Sequence, residues 1–174
     1  IKRDILRGWQ QVFDLENCVY AYMYLKSINM ESVRVIKPGN KKSPDIVAMH
    51  NGIKVLCEVK TVNISNSELI NSNNFVAKNI EPYLEESFYC KLMCVIEKAI
   101  VQLNEYDNKN EAKHMVFINV LFDDWVGDYN TDHISSIKGR LESYGYKGIG
   151  IVVLPFALFR PSHKDILVLN DNSE

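Results

Sequence analysis

No apolar run in this sequence approaches the roughly 18 consecutive residues that a membrane-spanning helix needs. The N-terminus also lacks the succession of basic, apolar and small residues that marks a secretion signal. We therefore expect a cytoplasmic protein with no membrane partner. Because the chain begins at Ile1 rather than Met, a domain excised from a longer protein is as open as a complete chain.

Cysteines are also few. The sequence has four of them, Cys18, Cys57, Cys90 and Cys94, and no Cys-x-x-Cys pair. A zinc site would need two more close ligands beside Cys90 and Cys94, and the four histidines are scattered. We expect reduced, buried thiols, as in a cytosolic protein.

A basic excess is missing as well. The net charge is -2 and the isoelectric point is near 6.1, whereas proteins that bind phosphate backbones usually carry excess Lys and Arg. This balance counts against a nucleic-acid partner, although acidic catalytic residues lower the sum and the basic stretch 37–42 can form a local patch. No helix-turn-helix, zinc finger or aromatic RNA-binding sequence is visible.

What is present suits one globular domain that spans residues 1–174, with 47% apolar and 24% charged residues. Hydrophobic periodicity predicts the order α-β-β-β-α-β-α-β, an α/β fold with a mixed β-sheet flanked by helices. The predicted helices are 4–28, 83–106 and 134–144, and the predicted strands are 33–36, 45–49, 53–62, 115–122 and 148–154, with an edge strand at 166–169. Residues 63–81 are either a mobile lid or a plain surface connection.

Two of these strands form a hairpin that carries acidic residues. Asn51-Gly52 between two apolar runs is typical of a two-residue turn. In the second strand the period of two places Glu58 and Lys60 on one face. Twelve residues separate Asp45 from Glu58, which allows a strand, a turn and a return. The two carboxylates should therefore meet at one end of the pair.

Two converging carboxylates repel each other unless a cation lies between them. Oxygen ligands suit Mg²⁺ or Mn²⁺, and such an ion polarises a phosphoryl oxygen and activates bound water. Lys60 can hold or help deprotonate that water, or stabilise the phosphorane charge. The alternative is that Glu58 and Lys60 form a solvated ion pair and that Asp45 is a turn residue after Pro44.

Pro44-Asp45, followed after twelve residues by Glu58-Val59-Lys60, resembles the PD-(D/E)xK signature of the restriction-endonuclease-like superfamily. In that superfamily a helix precedes a three-stranded meander that carries the motif, and a further helix and strand complete the core. The resemblance covers the predicted order of elements over most of the chain. It implies a metal-dependent nuclease in which the Val59 carbonyl completes a shell formed by Asp45 and Glu58.

Glu16 is a further candidate from the first helix. At about 100° per residue it falls within the helix's apolar stripe, where a carboxylate is costly unless it is paired or metal-bound. The stripe consists of Ile5, Trp9, Val12, Phe13, Tyr20 and Met23. Glu16 could instead lie at the stripe's edge or pair with a buried Arg or Tyr. Many superfamily members place a first-helix Glu at the metal, so the resemblance implies that Glu16 is a metal or water ligand.

Candidate substrate-binding residues lie on the helix 83–106. Lys98 and Gln102 share one flank of it, which can equally be a solvated face. Gln102 and Tyr106 resemble the Q-x-x-x-Y element of helicase-associated nucleases, in which the glutamine lies near the active site and contacts substrate. With Lys42 from the basic stretch, Lys98 and Gln102 form the predicted substrate-binding set.

The leading hypothesis is a nuclease that uses Mg²⁺ or Mn²⁺ and acts on DNA, as an endonuclease rather than an exonuclease. An RNA-directed nuclease is one alternative. A non-catalytic nucleic-acid- or protein-binding module on a nuclease-like scaffold is another, although a lapsed site would be free to lose Asp45, Glu58 or Lys60. Because one compact domain cuts both strands only as a dimer or by repeated nicking, we expect a homodimer.

Overall fold

The computed structural model describes residues 2–37, 42–63, 84, 86–122, 131–146, 148–157, 160–161 and 167–169, with the backbone alone for 2–13, 63, 121–122, 131–132, 155–157 and 160–161. The helices are α1 (Lys2–Ser27), α2 (Glu86–Tyr106) and α3 (Thr131–Tyr144). The strands are β1 (Glu31–Val35), β2 (Ile46–His50), β3 (Ile53–Asn63), β4 (Lys113–Phe122), β5 (Ile149–Ala157), β6 (Arg160–Pro161) and β7 (Leu167–Leu169). None of the described helices is long and apolar enough to cross a membrane. Most of the predicted lid, residues 64–81, lies outside the described residues.

The strands form one mixed sheet in the order β1-β2-β3-β4-β5-β6, and β7 also pairs with β5. The pairs β1–β2 and β2–β3 are antiparallel, whereas β3–β4 and β4–β5 are parallel. Parallel neighbours need a crossover, and α2 and α3 lie in sequence between the strands concerned. The predicted α/β class, with a mixed sheet and flanking helices, is confirmed.

The β2–β3 hairpin has the predicted turn. Asn51 and Gly52 both have positive φ values, 50° and 77°, as a two-residue turn that matches the twist of the strands requires. The pairing places Ile46 opposite Cys57. Continuing this register by one residue places Asp45, just before β2 begins, opposite Glu58 in the longer strand.

The sheet separates two hydrophobic cores. One core packs α1 against one face of the sheet and includes Ala21, Leu25, Ile46, Cys57 and Phe117. The other packs α2 and α3 against the opposite face and includes Leu56, Leu92, Ile96, Ile118 and Leu141. Because strand residues alternate between faces, Glu58 and Lys60 share the α2 face with Leu56.

The described part of α1 differs from the predicted stripe at Met23. Among the α1 side chains that are described, 14–27, the buried ones are Asn17, Ala21 and Leu25, at steps of four, whereas Met23 is 53% exposed. The side chains of Ile5, Trp9, Val12 and Phe13 lie outside the described residues. The placement of Met23 in a buried stripe is therefore wrong. The physical reason is that small Ala21 allows close approach to the sheet, and polar Asn17 is buried because its Nδ2 donates to Thr61 Oγ1.

Shortening Leu92 to alanine tests the placement of the core. Leu92 is fully buried at the centre of α2, so Leu92→Ala should lower the free energy of unfolding by about 2–5 kcal/mol in a urea titration. Val101 lies in the same helix and is 53% exposed, so Val101→Ala should change it by less than about 0.5 kcal/mol. Equal losses for the two variants would contradict the described core.

Candidate functional site

Asp45 lies where β2 begins, directly after the buried Pro44. Its Oδ2 accepts a hydrogen bond of 2.7 Å from the Val59 amide, and its backbone carbonyl accepts one of 2.8 Å from the Ile36 amide. The carboxylate thus accepts a hydrogen bond from a β3 amide just beyond the end of β2. Asp45 is held from both neighbouring segments, by Val59 through its side chain and by Ile36 through its backbone. One oxygen atom, Oδ1, is not used by the Val59 contact.

Glu58 is the most buried charged residue among those described, with an exposed fraction of 1%. The Lys60 ammonium contacts its Oε1 at 2.5 Å, while its Oε2 is buried without a hydrogen-bond partner. A buried carboxylate oxygen without a partner costs free energy, and such atoms are rare in folded proteins. The Lys60 side chain is 29% exposed and therefore connects this buried pair to the surface.

Electrostatics sets both carboxylates apart from surface acids. Burial raises the pKa of Glu58, the hydrogen bond from Lys60 opposes this, and the charge of Asp45 raises it further. Burial also raises the pKa of Asp45, against the opposing effect of the Val59 amide. Both carboxyls are therefore harder to ionise than surface acids, and a cation placed beside them would favour the ionised forms.

Helix α2 brings Gln102 to this pair. Its Nε2 donates to the Ser43 carbonyl at 3.0 Å, and its side chain, close to Glu58, lowers the pKa of that carboxyl. Lys42 is nearby but makes an exposed ion pair of 3.9 Å with Glu105. Lys98 is exposed one turn earlier on α2. Of the three predicted substrate-binding residues, Gln102 is thus the one beside Glu58, and substrate binding by any of them stays a prediction.

Helix α1 carries two acids, Glu16 and Asp14, in the part nearest the site. Glu16 accepts a 3.3 Å hydrogen bond from the Tyr20 hydroxyl, one of the alternatives open from the sequence. At about 100° per residue, Glu16 lies about 140° from the buried Ala21, at the flank of the helix. Asp14 lies about 20° from Ala21, and its charge raises the pKa of Asp45.

Asp14 was not among the predicted residues, because large apolar residues defined the predicted face of α1. A sequence pattern that indicates this face is present. Steps of three and four residues connect the following positions: Asp14, Asn17, Cys18, Ala21 and Leu25. This set defines the face of α1 that meets the sheet. The role of Glu16 as a metal or water ligand stays a prediction.

The cysteines divide into two pairs. All four are free thiols, but Cys90 and Cys94 are exposed, so the expectation of buried thiols is wrong for these two. They lie at steps of four on the solvent side of α2. Burial, followed by the charge of Asp45, raises the pKa of Cys18 to about 11, and burial raises that of Cys57. Both inner thiols are therefore protonated at neutral pH.

The carboxylate oxygens of Asp45 and Glu58 are the candidate ligands for a divalent cation. No group of three His, Cys, Asp or Glu side chains suited to a metal occurs among the residues whose placement is described. Mg²⁺, however, keeps several waters and is commonly bound through one or two carboxylates. Asp45 and Glu58 meet that requirement, and the partnerless Glu58 Oε2 is an available ligand atom. The residues fit a hydrated Mg²⁺ or Mn²⁺.

Comparison of the chain with known protein families, with curated proteins and with solved structures found no match. The α/β fold is seen directly in the structure. The geometry around Asp45, Glu58 and Lys60 is the basis on which a function can be proposed.

Neutralising Glu58 should stabilise the metal-free protein at neutral pH. Because burial raises the pKa of Glu58 in the folded state, the ionised carboxylate destabilises the fold above that raised pKa. The loss of stability caused by the ionised Glu58 becomes smaller as the pH drops below the raised pKa. It disappears near the ordinary pKa of a glutamate, about 4. We expect Glu58→Gln to melt about 2 °C or more above the wild type at pH 7 with EDTA, and the difference to shrink towards pH 4.

The measurement is a series of thermal melts between pH 4 and 8. Glu31 is exposed in the same sheet, so Glu31→Gln should leave the melting temperature nearly unchanged at every pH. A Glu58→Gln variant that melts below the wild type at pH 7 would contradict the destabilising role of the buried charge.

Proposed function

We propose that the protein is a nuclease that depends on Mg²⁺ or Mn²⁺ and cleaves phosphodiester bonds within DNA. The observation that carries the proposal is the buried Glu58, whose Oε1 holds Lys60 while its Oε2 lacks a partner beside Asp45. A carboxylate that serves only the fold would have both oxygen atoms satisfied. The arrangement leaves one acidic oxygen for a ligand outside the chain.

The order α1-β1-β2-β3-α2-β4, with one acidic residue just before β2 and one on β3, supports kinship with the restriction-endonuclease-like core. In that core the same positions bind metal and activate water. The proposed kinship concerns the arrangement of elements and the motif Pro44-Asp45 and Glu58-Val59-Lys60. DNA is proposed as the substrate because most proteins with this signature act on it.

Asp45 and Glu58 would hold the ion, with the Val59 carbonyl as a further oxygen ligand. The bound ion would supply Lewis-acid polarisation of the phosphoryl oxygen and a more acidic water. Lys60 would contribute a role that does not depend on the metal ion. Glu58 fixes its ammonium at the site, where it can orient the attacking water and stabilise the negative charge that develops on phosphorus oxygens.

A non-catalytic binding module is the alternative that the contacts also allow. The Val59–Asp45 hydrogen bond and the Glu58–Lys60 ion pair both serve the fold and would persist without catalysis. A module, however, gains nothing from a partnerless buried carboxylate oxygen. Metal binding separates the two functions, because only the enzyme requires it.

Digestion of single-stranded, double-stranded and circular DNA and of RNA, side by side with Mg²⁺ and Mn²⁺, tests the activity. Lys60→Met should lower kcat about 100-fold or more because it removes a charge that acts in the transition state. Lys54 lies on the same strand and the same face, over the Tyr106 ring, so Lys54→Met is the matched control and should cut normally. No cleavage of any nucleic acid, or a fully active Lys60→Met variant, would overturn the proposal.

Calorimetric titration with Mn²⁺ tests the α1 acid at the same site. Because the charge of Asp14 acts on Asp45, Asp14→Asn should weaken Mn²⁺ binding about tenfold, in the range of residues that support metal ligands. Glu16→Gln is the matched control and should bind within about twofold of the wild type. The reverse result would favour the ligand predicted from the sequence, and absence of Mn²⁺ binding in the wild type would favour the binding module.

A further inference from the structure

Gln102 occupies an unusual position between the two acidic segments. It lies in the last turns of α2 and is half-buried. Its Nε2 donates to the carbonyl of Ser43, two residues before Asp45. The same side chain lies beside the Glu58 carboxylate, whose pKa it lowers. One amide group is thus bonded to the segment that leads into β2 and lies next to the carboxylate of β3.

The donor group of this amide already has a partner within the protein. A backbone carbonyl only accepts hydrogen bonds, so the Ser43 contact uses the Gln102 NH₂ group. A residue that serves only to read a substrate phosphate would not have its donor group held by the chain.

The neighbouring residues of α2 strengthen the same connection. Glu105 pairs with Lys42 at 3.9 Å, and the Tyr106 ring lies 5.8 Å from the Lys54 ammonium. Gln102 and these two residues follow the three- and four-residue steps of one helix face. The end of α2 therefore contacts both the segment before β2 and the hairpin beyond it.

We propose that Gln102 is a positioning residue, which fixes Asp45 relative to Glu58 by holding the Ser43 carbonyl to helix α2 beside the Glu58 carboxylate. The expected effect on DNA cleavage rests on the proposed nuclease function. The expected effect on the contact between Asp45 and the Val59 amide is independent of that function. Without Gln102 the segment that carries Asp45 loses its contact with α2, and the Asp45 carboxylate should leave the Val59 amide more often.

The test compares Gln102→Met, which keeps the length of the side chain, with Asn104→Leu on the exposed side of the same helix. Two quantities are measured, steady-state cleavage of DNA with Mg²⁺ and hydrogen exchange of the Val59 amide in the metal-free protein. Gln102→Glu is the second variant, because its ionised carboxylate cannot donate to Ser43. The Val55 amide, in the same strand, reports on general loosening of the hairpin.

For Gln102→Met we expect kcat to fall about 10- to 100-fold with KM within about twofold, as for a misplaced catalytic group. The Val59 amide should exchange about tenfold faster while Val55 is unchanged, which marks local opening. Gln102→Glu should show the same changes and Asn104→Leu neither.

A raised KM with kcat unchanged would identify Gln102 as a substrate contact and overturn the proposal, as would unchanged exchange at Val59. If the wild type cleaves no nucleic acid, the proposed function fails, yet faster Val59 exchange in Gln102→Met would still establish the positioning contact. If Gln102→Met fails to fold, Gln102→Glu provides the same two measurements.

Discussion

The β2–β3 hairpin has one register, with Ile46 opposite Cys57 and the turn at Asn51-Gly52, and the placement of Asp45, Glu58 and Lys60 follows from it. A slip of one residue would turn the side chains of β3 to the opposite faces. Glu58 and Lys60 would then meet α1, and Cys57 would meet α2. The turn and the two apolar cores hold the register, so the site depends on forces that act away from it.

This arrangement lowers the stability of the fold at the site. Glu58 is buried with one oxygen partnerless, and Asp45 lies close enough to raise its pKa further. Lys60 and Gln102 offset part of that cost, and the cores on both faces of the sheet supply the rest. Such local destabilisation is common where a protein holds charged groups ready for a ligand.

The sequence predicted the parts of the molecule that follow short-range rules. Asn51-Gly52 defined the turn, and the period of two placed Glu58 and Lys60 on one face. The inward face of α1 was not predictable from large apolar residues, because Asn17 and Ala21 occupy it. Gln102 was expected near the site, but its partner Ser43 is 59 residues away in the chain, and no local pattern reveals such a contact.

The spacing of the site along the chain has a consequence for how it forms during folding. The Val59 amide and the Asp45 carboxylate are 14 residues apart, within a single hairpin of the kind that closes in about 1–10 μs. Gln102 reaches Ser43 only after a much longer segment has closed and α2 has docked. We therefore expect the acidic pair to meet before Gln102 reaches it. Until then, Lys60 on the same strand is the group that can offset the repulsion between the two carboxylates.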